Sequence, residues 1–392
     1  MYKEKIAQAV DILKEKDVDM WLTFVRESEV LRDPCLDLIL GVNCTWQSAF
    51  IITRTGKTIA IVGSLDHERI KLTGHYDDIR EYIGKFGNSL ISVLGEIKPN
   101  KIALNMSKND FMADGLTHGM YQLLIDYTAG TPYKDRFISS EEIISALRGR
   151  KSPTELERIR KSIELTEEIY HKVSEFMAPG KTEKDVADFI LSLVKENSVT
   201  TAWEENSCPA VFTGPESAGA HADPTKRVIE KGHVLNIDFG VKKDDYCSDI
   251  QRTWYFLRDG EAEAPEEVKR GFQTIIDSVK LASDAIKPGK MGCDIDDVAR
   301  NYIVSKGYPE YPHALGHQVG RSAHDGAGIL APRWDRYGNT PYLPIEVGQV
   351  YTIEPRLPIE GYGVATTEEM IVVTEDGCEW LSHPQKEIYL IR

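Results

Sequence analysis

The sequence predicts an α+β protein in two parts. A smaller α/β domain is expected over residues 1–140, a linker over 141–153, and a larger, internally duplicated domain over 154–392. Three observations carry this. The length of 392 residues suits two or three domains of about 100–200 residues each. The first third alternates helix-like and strand-like runs, as a sheet covered by helices does. After Pro153, a helix–helix–strand order occurs twice.

The elements follow in chain order. An amphipathic helix is expected over about Lys3–Lys16, then an apolar strand at Met20–Val25. Strand-like runs at Ala49–Thr53 and Thr58–Val62 flank a Gly-containing turn, and Asn100–Asn105 is another strand. Trp21 and Trp46 are expected to pack rather than function. Glu141–Arg148 is helical and runs into a basic segment ending at Ser152-Pro153, where a long helix opens on acidic residues that suit its dipole. That helix ends at Pro179-Gly180-Lys181, and a second begins at Thr182. A later helix from about Pro265 ends at Pro288-Gly289-Lys290, and another follows from Cys293. The triplets starting at Pro179 and Pro288 lie 109 residues apart, and strand-like sequence follows each pair of helices.

Composition excludes several function classes. A formal net charge of −15 and the lack of a basic stripe argue against a nucleic-acid partner. No apolar run reaches the ~20 residues that span a bilayer, and the first residues lack the apolar core of a signal peptide. A cytoplasmic location is expected. The six cysteines form no CxxC pair, so they read as reduced thiols rather than zinc ligands.

The residues that carry chemistry lie in the second part. Asp238 sits mid-strand in His233–Val241, where a carboxylate is depleted and costly to bury unpaired. After a polar loop at Lys242–Tyr246, a second strand carries Asp249, Gln251 and Thr253 on one face. If the two strands form a hairpin, both carboxylates face one point; two surface aspartates of a hairpin remain the plain alternative. The run Pro312–Gly320 holds His313 and His317 among glycines, and His324 follows, so three of ten histidines fall within twelve residues. Histidine is the commonest metal ligand and titrates near neutrality. Glu354 ends the strand pattern Val350–Pro355, and a strand over Ala365–Val373 carries Glu368 and Glu369, of which Glu369 is expected to face solvent. Four carboxylates and one imidazole, Asp238, Asp249, Glu354, Glu368 and His317, make an oxygen-rich site for two divalent ions. Mn²⁺ fits best, with Zn²⁺, Co²⁺ or Fe²⁺ also able to bind. His313 and His324 are then expected to donate to the substrate.

Ile-Asp-Phe-Gly, Ser-Asp-Ile-Gln-Arg-Thr, Gly-His-Gln-Val-Gly, Thr-Ile-Glu-Pro and Thr-Glu-Glu occur in that order over residues 150–390. In this the second part resembles the pita-bread metallopeptidases of family M24: methionine aminopeptidase, aminopeptidase P and prolidase. The first part resembles the creatinase-type N-terminal domain of the prolidase and aminopeptidase P branch. The resemblance implies hydrolysis of the bond between an N-terminal residue and a following proline, in short proline-containing peptides, by a homodimer. It implies that Asp238, Asp249 and Glu368 hold one metal and that Asp249, His317, Glu354 and Glu368 hold the other. Glu354 would help activate water, His221 would stand on the substrate side, and His313 with His324 would contact the substrate. One departure is plain. Many prolidase-branch members carry Arg two residues before the last glutamate ligand, and here that residue is Thr366. Arg356 or Arg321 is expected to supply the missing charge. Two other readings stay open: a non-peptidase hydrolase or lyase of a small molecule, as in creatinase, and a non-enzymatic interaction module.

Overall fold

The computed structural model describes residues 1–216 and 223–392 and divides into two compact units, Met1–Arg148 and Gly149–Arg392. No helix among the described residues is long and apolar enough to cross a membrane.

The first unit runs α1 (Tyr2–Glu15), β1 (Met20–Val25), α2 (Leu36–Ile39), β2 (Ser48–Thr53), β3 (Thr58–Gly63), α3 (Ser64–Thr73), β4 (Asp78–Tyr82), α4 (Phe86–Ile97), β5 (Ile102–Leu104), α5 (His118–Tyr127), β6 (Phe137–Ser139) and α6 (Glu141–Gly149). Its six strands form one sheet in the order β4-β3-β2-β1-β5-β6. Successive residues of each strand feed different cores. Trp21, Phe50, Ile52, Ala60 and Val62 pack with α1 residues such as Ile6, Ala9 and Leu13. Met20, Leu22, Phe24, Ile51 and Ile61 pack with Leu90 and Leu94 of α4. A sheet buried on both faces explains why these strands read as continuous apolar runs rather than alternating ones. Trp21 packs as expected, with its indole N–H donating to Asn105 Oδ1 at 2.6 Å. Trp46 does not: it is 54% exposed.

The second unit runs α7 (Pro153–Phe176), α8 (Glu183–Glu196), β7 (Thr200–Thr201), β8 (Ala210–Thr213), β9 (Val234–Phe239), β10 (Val241–Lys243), β11 (Tyr246–Cys247), β12 (Ile250–Phe256), α9 (Glu266–Ala285), α10 (Gly292–Ser305), β13 (Gly316–His317), β14 (Ile329–Leu330), β15 (Val350–Ile353), β16 (Arg356–Ile359), β17 (Gly363–Thr366), β18 (Glu369–Val373), β19 (Cys378–Trp380) and β20 (Tyr389–Ile391). Helix α7 begins as the sequence signals. Pro153 takes the first helical position, and Ser152 and Glu155 exchange backbone-to-side-chain bonds at 2.7 and 3.3 Å.

Duplication in this unit is visible bond by bond. Gly180 donates its N–H to Ile229 O at 2.9 Å, and Ile229 donates back to Lys181 O at 2.8 Å. Gly289 and Ile345 repeat the pair at 2.8 Å, with Ile345 donating back to Lys290 O at 2.8 Å. Both glycines turn the chain at positive φ, +92° and +84°, which a side chain would resist. From these isoleucines the two halves stay in step. Ile229-Glu-Lys-Gly-His-Val leads into β9 and Asp238, and Ile345-Glu-Val-Gly-Gln-Val leads into β15 and Glu354. Asp238 and Glu354 are therefore equivalent positions of a duplicated frame.

Two expected elements differ in detail. Strands β9 and β12 pair antiparallel as the hairpin reading requires, with Asp238 opposite Gln251. The polar loop between them, however, folds into its own short hairpin, β10–β11, which joins a separate sheet with β7. The strand expected over Ala365–Val373 is two strands. β17 pairs with β16, β18 pairs with β15, and Glu368 sits at the break. There its N–H donates to Gln251 O at 3.2 Å, which couples the break to β12.

Candidate active site

A cavity of about 920 Å³ opens in the second unit. Its lining includes Asp238, Asp249, His317, Glu354 and Glu368, together with His313, His324 and Arg356. Three of the four carboxylates owe their place to a strand end or a strand break. Asp238 lies on β9, Asp249 immediately precedes β12, Glu354 immediately follows β15, and Glu368 immediately precedes β18. Short strands that stop here leave side chains converging instead of alternating away.

His317 is held from behind. Gly316 lies so close to β15 that an added Cβ would stand 1.9 Å from Thr352 O, and His317 N–H donates to Thr352 Oγ1 at 3.1 Å. Its Nδ1 faces Gln318 O at 3.3 Å, a group that can only accept, so the proton sits on Nδ1. Nε2 then points among the carboxylates, 3.3 Å from Glu354 Oε1, 3.7 Å from Asp249 Oδ2 and 3.9 Å from Glu368 Oε1. Gln251 spans two of the acids, donating to Glu354 Oε2 at 3.2 Å and Glu368 Oε2 at 3.0 Å.

The charges are strongly frustrated. Burial, with Asp249 and Glu354 nearby, pushes the Asp238 carboxyl well above its usual range. Burial and the neighbouring acids do the same to Glu368. Asp249 is raised to about 7 by burial and by Glu354, against the pull of His317. Glu354 moves the other way. Burial would raise it, but its bond to His317 and the fields of His317, His313 and His324 outweigh burial and hold it low. His317 rises to about 9, because Glu354 and Asp249 overcome the cost of burying its charge.

A divalent cation fits this arrangement. Asp249, His317 and Glu368 offer ligand atoms all within 4.8 Å of one another. Asp238 Oδ1 and Glu368 Oε1 are buried with no hydrogen-bond partner among the described residues. Buried carboxyl oxygens left unsatisfied are costly, and a cation that favours their ionised form removes that cost.

The other expected residues fare differently. His313 is half-buried in the cavity wall, with Nδ1 2.7 Å from Ala314 O. That bond commits the Nδ1 proton, and burial lowers the pKa of the ring, so Nε2 donates only when the ring is charged. His324 is exposed at the cavity, its ring edge-to-face on His317 with centroids 4.2 Å apart. His221 lies outside the described residues. Glu369 corrects the sequence reading. It is 1% exposed, not solvated. Its carboxylate takes Arg252 at 3.0 and 3.2 Å, the Ser382 hydroxyl at 2.7 Å and the Gln385 N–H at 2.8 Å. Arg252 also donates to Glu368 O at 3.1 Å and so clamps the backbone that aims Glu368. The sequence reading missed this clamp, although Arg252 stands in the same Ser-Asp-Ile-Gln-Arg-Thr motif as Asp249.

Arg321 and Arg356 separate clearly. Arg321 is buried, ion-paired to Asp245 at 3.2 Å and set over the Tyr246 ring. Arg356 lines the cavity directly across the strand pair from Thr366. The Thr366 hydroxyl is taken up by the backbone just before β16, donating to Pro355 O at 3.0 Å.

Known proteins share both sequence and fold with this chain. An uncharacterised peptidase of Staphylococcus aureus is 33% identical over 244 residues, 62% of this chain and 65% of that protein's length. One from Staphylococcus saprophyticus is 28% identical over 97% of this chain and all of its own. Among solved structures, an X-Pro aminopeptidase from Thermotoga maritima matches with a TM-score of 0.72 at 24% identity, over 98% of this chain and 99% of its own. An Xaa-Pro dipeptidase from Bacillus anthracis matches with 0.75 at 23%, over all of both chains. The shared fold is α+β, a pita-bread domain preceded by a smaller α/β domain. Residues 157–375 match the profile of metallopeptidase family M24. That match covers more than half of the chain and takes in all four carboxylates around His317, so the chain belongs to metallopeptidase family M24.

Proposed function

We propose that the cavity is the active site of a dimetal hydrolase that cleaves the peptide bond between an N-terminal residue and a following proline. The observation that carries this reading is the pair of buried oxygens with no hydrogen-bond partner among the described residues, Asp238 Oδ1 and Glu368 Oε1, among four carboxylates that share one imidazole. Such a set is unstable alone and complete with two divalent cations. The fold relatives named for action on X-Pro and Xaa-Pro substrates support the choice of bond.

In this reading Asp238, Asp249 and Glu368 hold one ion. Asp249, His317, Glu354 and Glu368 would hold the other. The oxygen-rich set with one nitrogen favours Mn²⁺. Bound there, the ions supply Lewis acidity toward a carbonyl and toward a water. The chain supplies the rest. Glu354, held ionised beside His317, is the acceptor for a proton from the attacking water. His313 and His324 stand in the cavity wall, where an imidazole can bind the peptide or return a proton to the departing nitrogen. The same reading takes the chain to be a cytoplasmic homodimer acting on short proline-containing peptides.

The test is incubation of the full chain with Mn²⁺ and a panel of Xaa-Pro dipeptides and Xaa-Pro-Yaa peptides. Cleavage confined to the bond before proline is expected. Bound metal without cleavage of any peptide would reject the reading in favour of a small-molecule hydrolase.

A further inference from the structure

The strand pair β16–β17 presents two chemically distinct faces. Leu357, Ile359 and Ala365 point into the core with α9 residues such as Phe272 and Ile275. Arg356, Pro358, Val364 and Thr366 alternate with them and line the cavity, in the cross-strand pairs Arg356–Thr366 and Pro358–Val364. This wall is therefore apolar except at one corner, where a guanidinium stands beside a neutral hydroxyl.

Arg356 is out of place by ordinary packing rules. It is half-buried, yet no carboxylate among the described residues lies within ion-pair distance of it. Other cavity and core arginines have such partners: Arg252 has Glu369, Arg300 has Asp296, and Arg321 has Asp245. The acid whose field reaches Arg356 is Glu354. In the reading above, Glu354 is committed to a metal ion and to His317, so it offers Arg356 little compensation. A partly desolvated guanidinium facing a cavity, with five donors and no acceptor, is a site for a carboxylate that arrives with the ligand.

We propose that Arg356 binds the free C-terminal carboxylate of the substrate and thereby selects dipeptides over longer or amidated peptides. This rests on the hydrolase reading and adds the substrate class to it. The scissile carbonyl lies at the metal ligands, and in a dipeptide the carboxylate lies one residue beyond it. Pro358 and Val364 offer an apolar surface to the residue between. In a longer peptide the carboxylate is carried away from the guanidinium, and an uncharged amide takes its place.

The experiment uses the full chain loaded with Mn²⁺. The best-cleaved Xaa-Pro dipeptide is compared with its C-terminal amide, and L-proline is titrated against L-prolinamide by calorimetry. The native protein should favour the acid by about tenfold or more in kcat/KM, with the difference in KM, and should bind L-proline more tightly than the amide. Arg356→Met should bring the acid-to-amide ratio to within about twofold, and Arg356→Lys should restore part of it. Equal use of acid and amide by the native protein would overturn the proposal, whether or not the variants fold. So would an Arg356→Met protein that loses kcat on both substrates with its preference intact, because the residue would then act through Glu354. Native protein that cleaves neither substrate would reject the peptidase reading instead. The two titrations would then still decide whether Arg356 holds a carboxylate.

Discussion

The two halves of the second unit use one frame for opposite chemistry. Asp238 and Glu354 stand at the same step of the repeat, each nine residues after its isoleucine. Burial pushes the first far toward protonation, whereas the second is held ionised. His317 makes the largest part of the difference. Thr213 pairs with Leu235 in the first half and Gln318 with Tyr351 in the second, so His317 occupies the place of Phe212. The imidazole is 3.3 Å from Glu354, and among the described residues the equivalent place beside β9 is taken by Phe212, which carries no charge. Duplication supplies converging acids twice; a single change from ring to imidazole gives one of them a charge partner. Pushing equivalent carboxylates apart in pKa is how a site acquires distinct proton-handling roles.

The largest expected effect comes from removing either member of the pair. Glu354→Gln and Asp238→Asn should each lower kcat by about 10²–10⁴-fold, read with saturating peptide. His317→Phe makes the second half resemble the first. It should remove the largest force that holds Glu354 low, so in the metal-free chain the Glu354 carboxyl, read by NMR titration, ionises at higher pH. An unmoved titration would mean that His317 does not set the Glu354 ionisation.

The third prediction concerns the clamp behind Glu368. Arg252 and Glu369 are 4% and 1% exposed at their side chains, so Arg252→Leu strands a buried charge and should cost about 3–5 kcal/mol, read by denaturant unfolding. The fourth is a pH dependence. Asp249 titrates near 7 in the metal-free fold against a usual 3.8, so the folded chain binds that proton more tightly than the unfolded one. Its stabilising contribution is full below about pH 4 and is lost as pH rises through 7. Metal-free Tm should therefore fall across that window, and the Tm gained on adding Mn²⁺ should grow as proton competition fades. The smallest effect tests the repeat away from the site. Thr182 caps α8 by accepting from Asp185 N–H at 3.1 Å, and Met291 at the matching start of α10 has no hydroxyl to do so. Thr182→Ala should cost about 1 kcal/mol, and Met291→Ala distinctly less.

Much of this was legible in the sequence because it is local. A mid-strand aspartate, a Gly-flanked histidine and glutamates at strand ends each announce themselves within a few residues. The paired Ile-Glu-x-Gly-x-Val runs before Asp238 and Glu354 were equally readable, and they align the halves more firmly than the Pro-Gly-Lys triplets do. What stayed hidden depends on partners distant in sequence. Glu368 and Glu369 look alike in the chain; only the approach of Arg252, Ser382 and Gln385 makes the second a buried structural acid. The β10–β11 excursion and the break before β18 are changes of sheet, which an alternating pattern does not record. The position of Arg356 across from Thr366 likewise needs the register of β16 on β17.

The proposed site would take two ions, one depending on Asp238 and the other on His317. Calorimetric titration of the metal-free chain with Mn²⁺ at pH 8 measures this directly. Two equivalents are expected for the native chain, and one each for Asp238→Asn and His317→Phe. A native chain that takes up fewer than two ions, or a pair of variants that retain both, would contradict it.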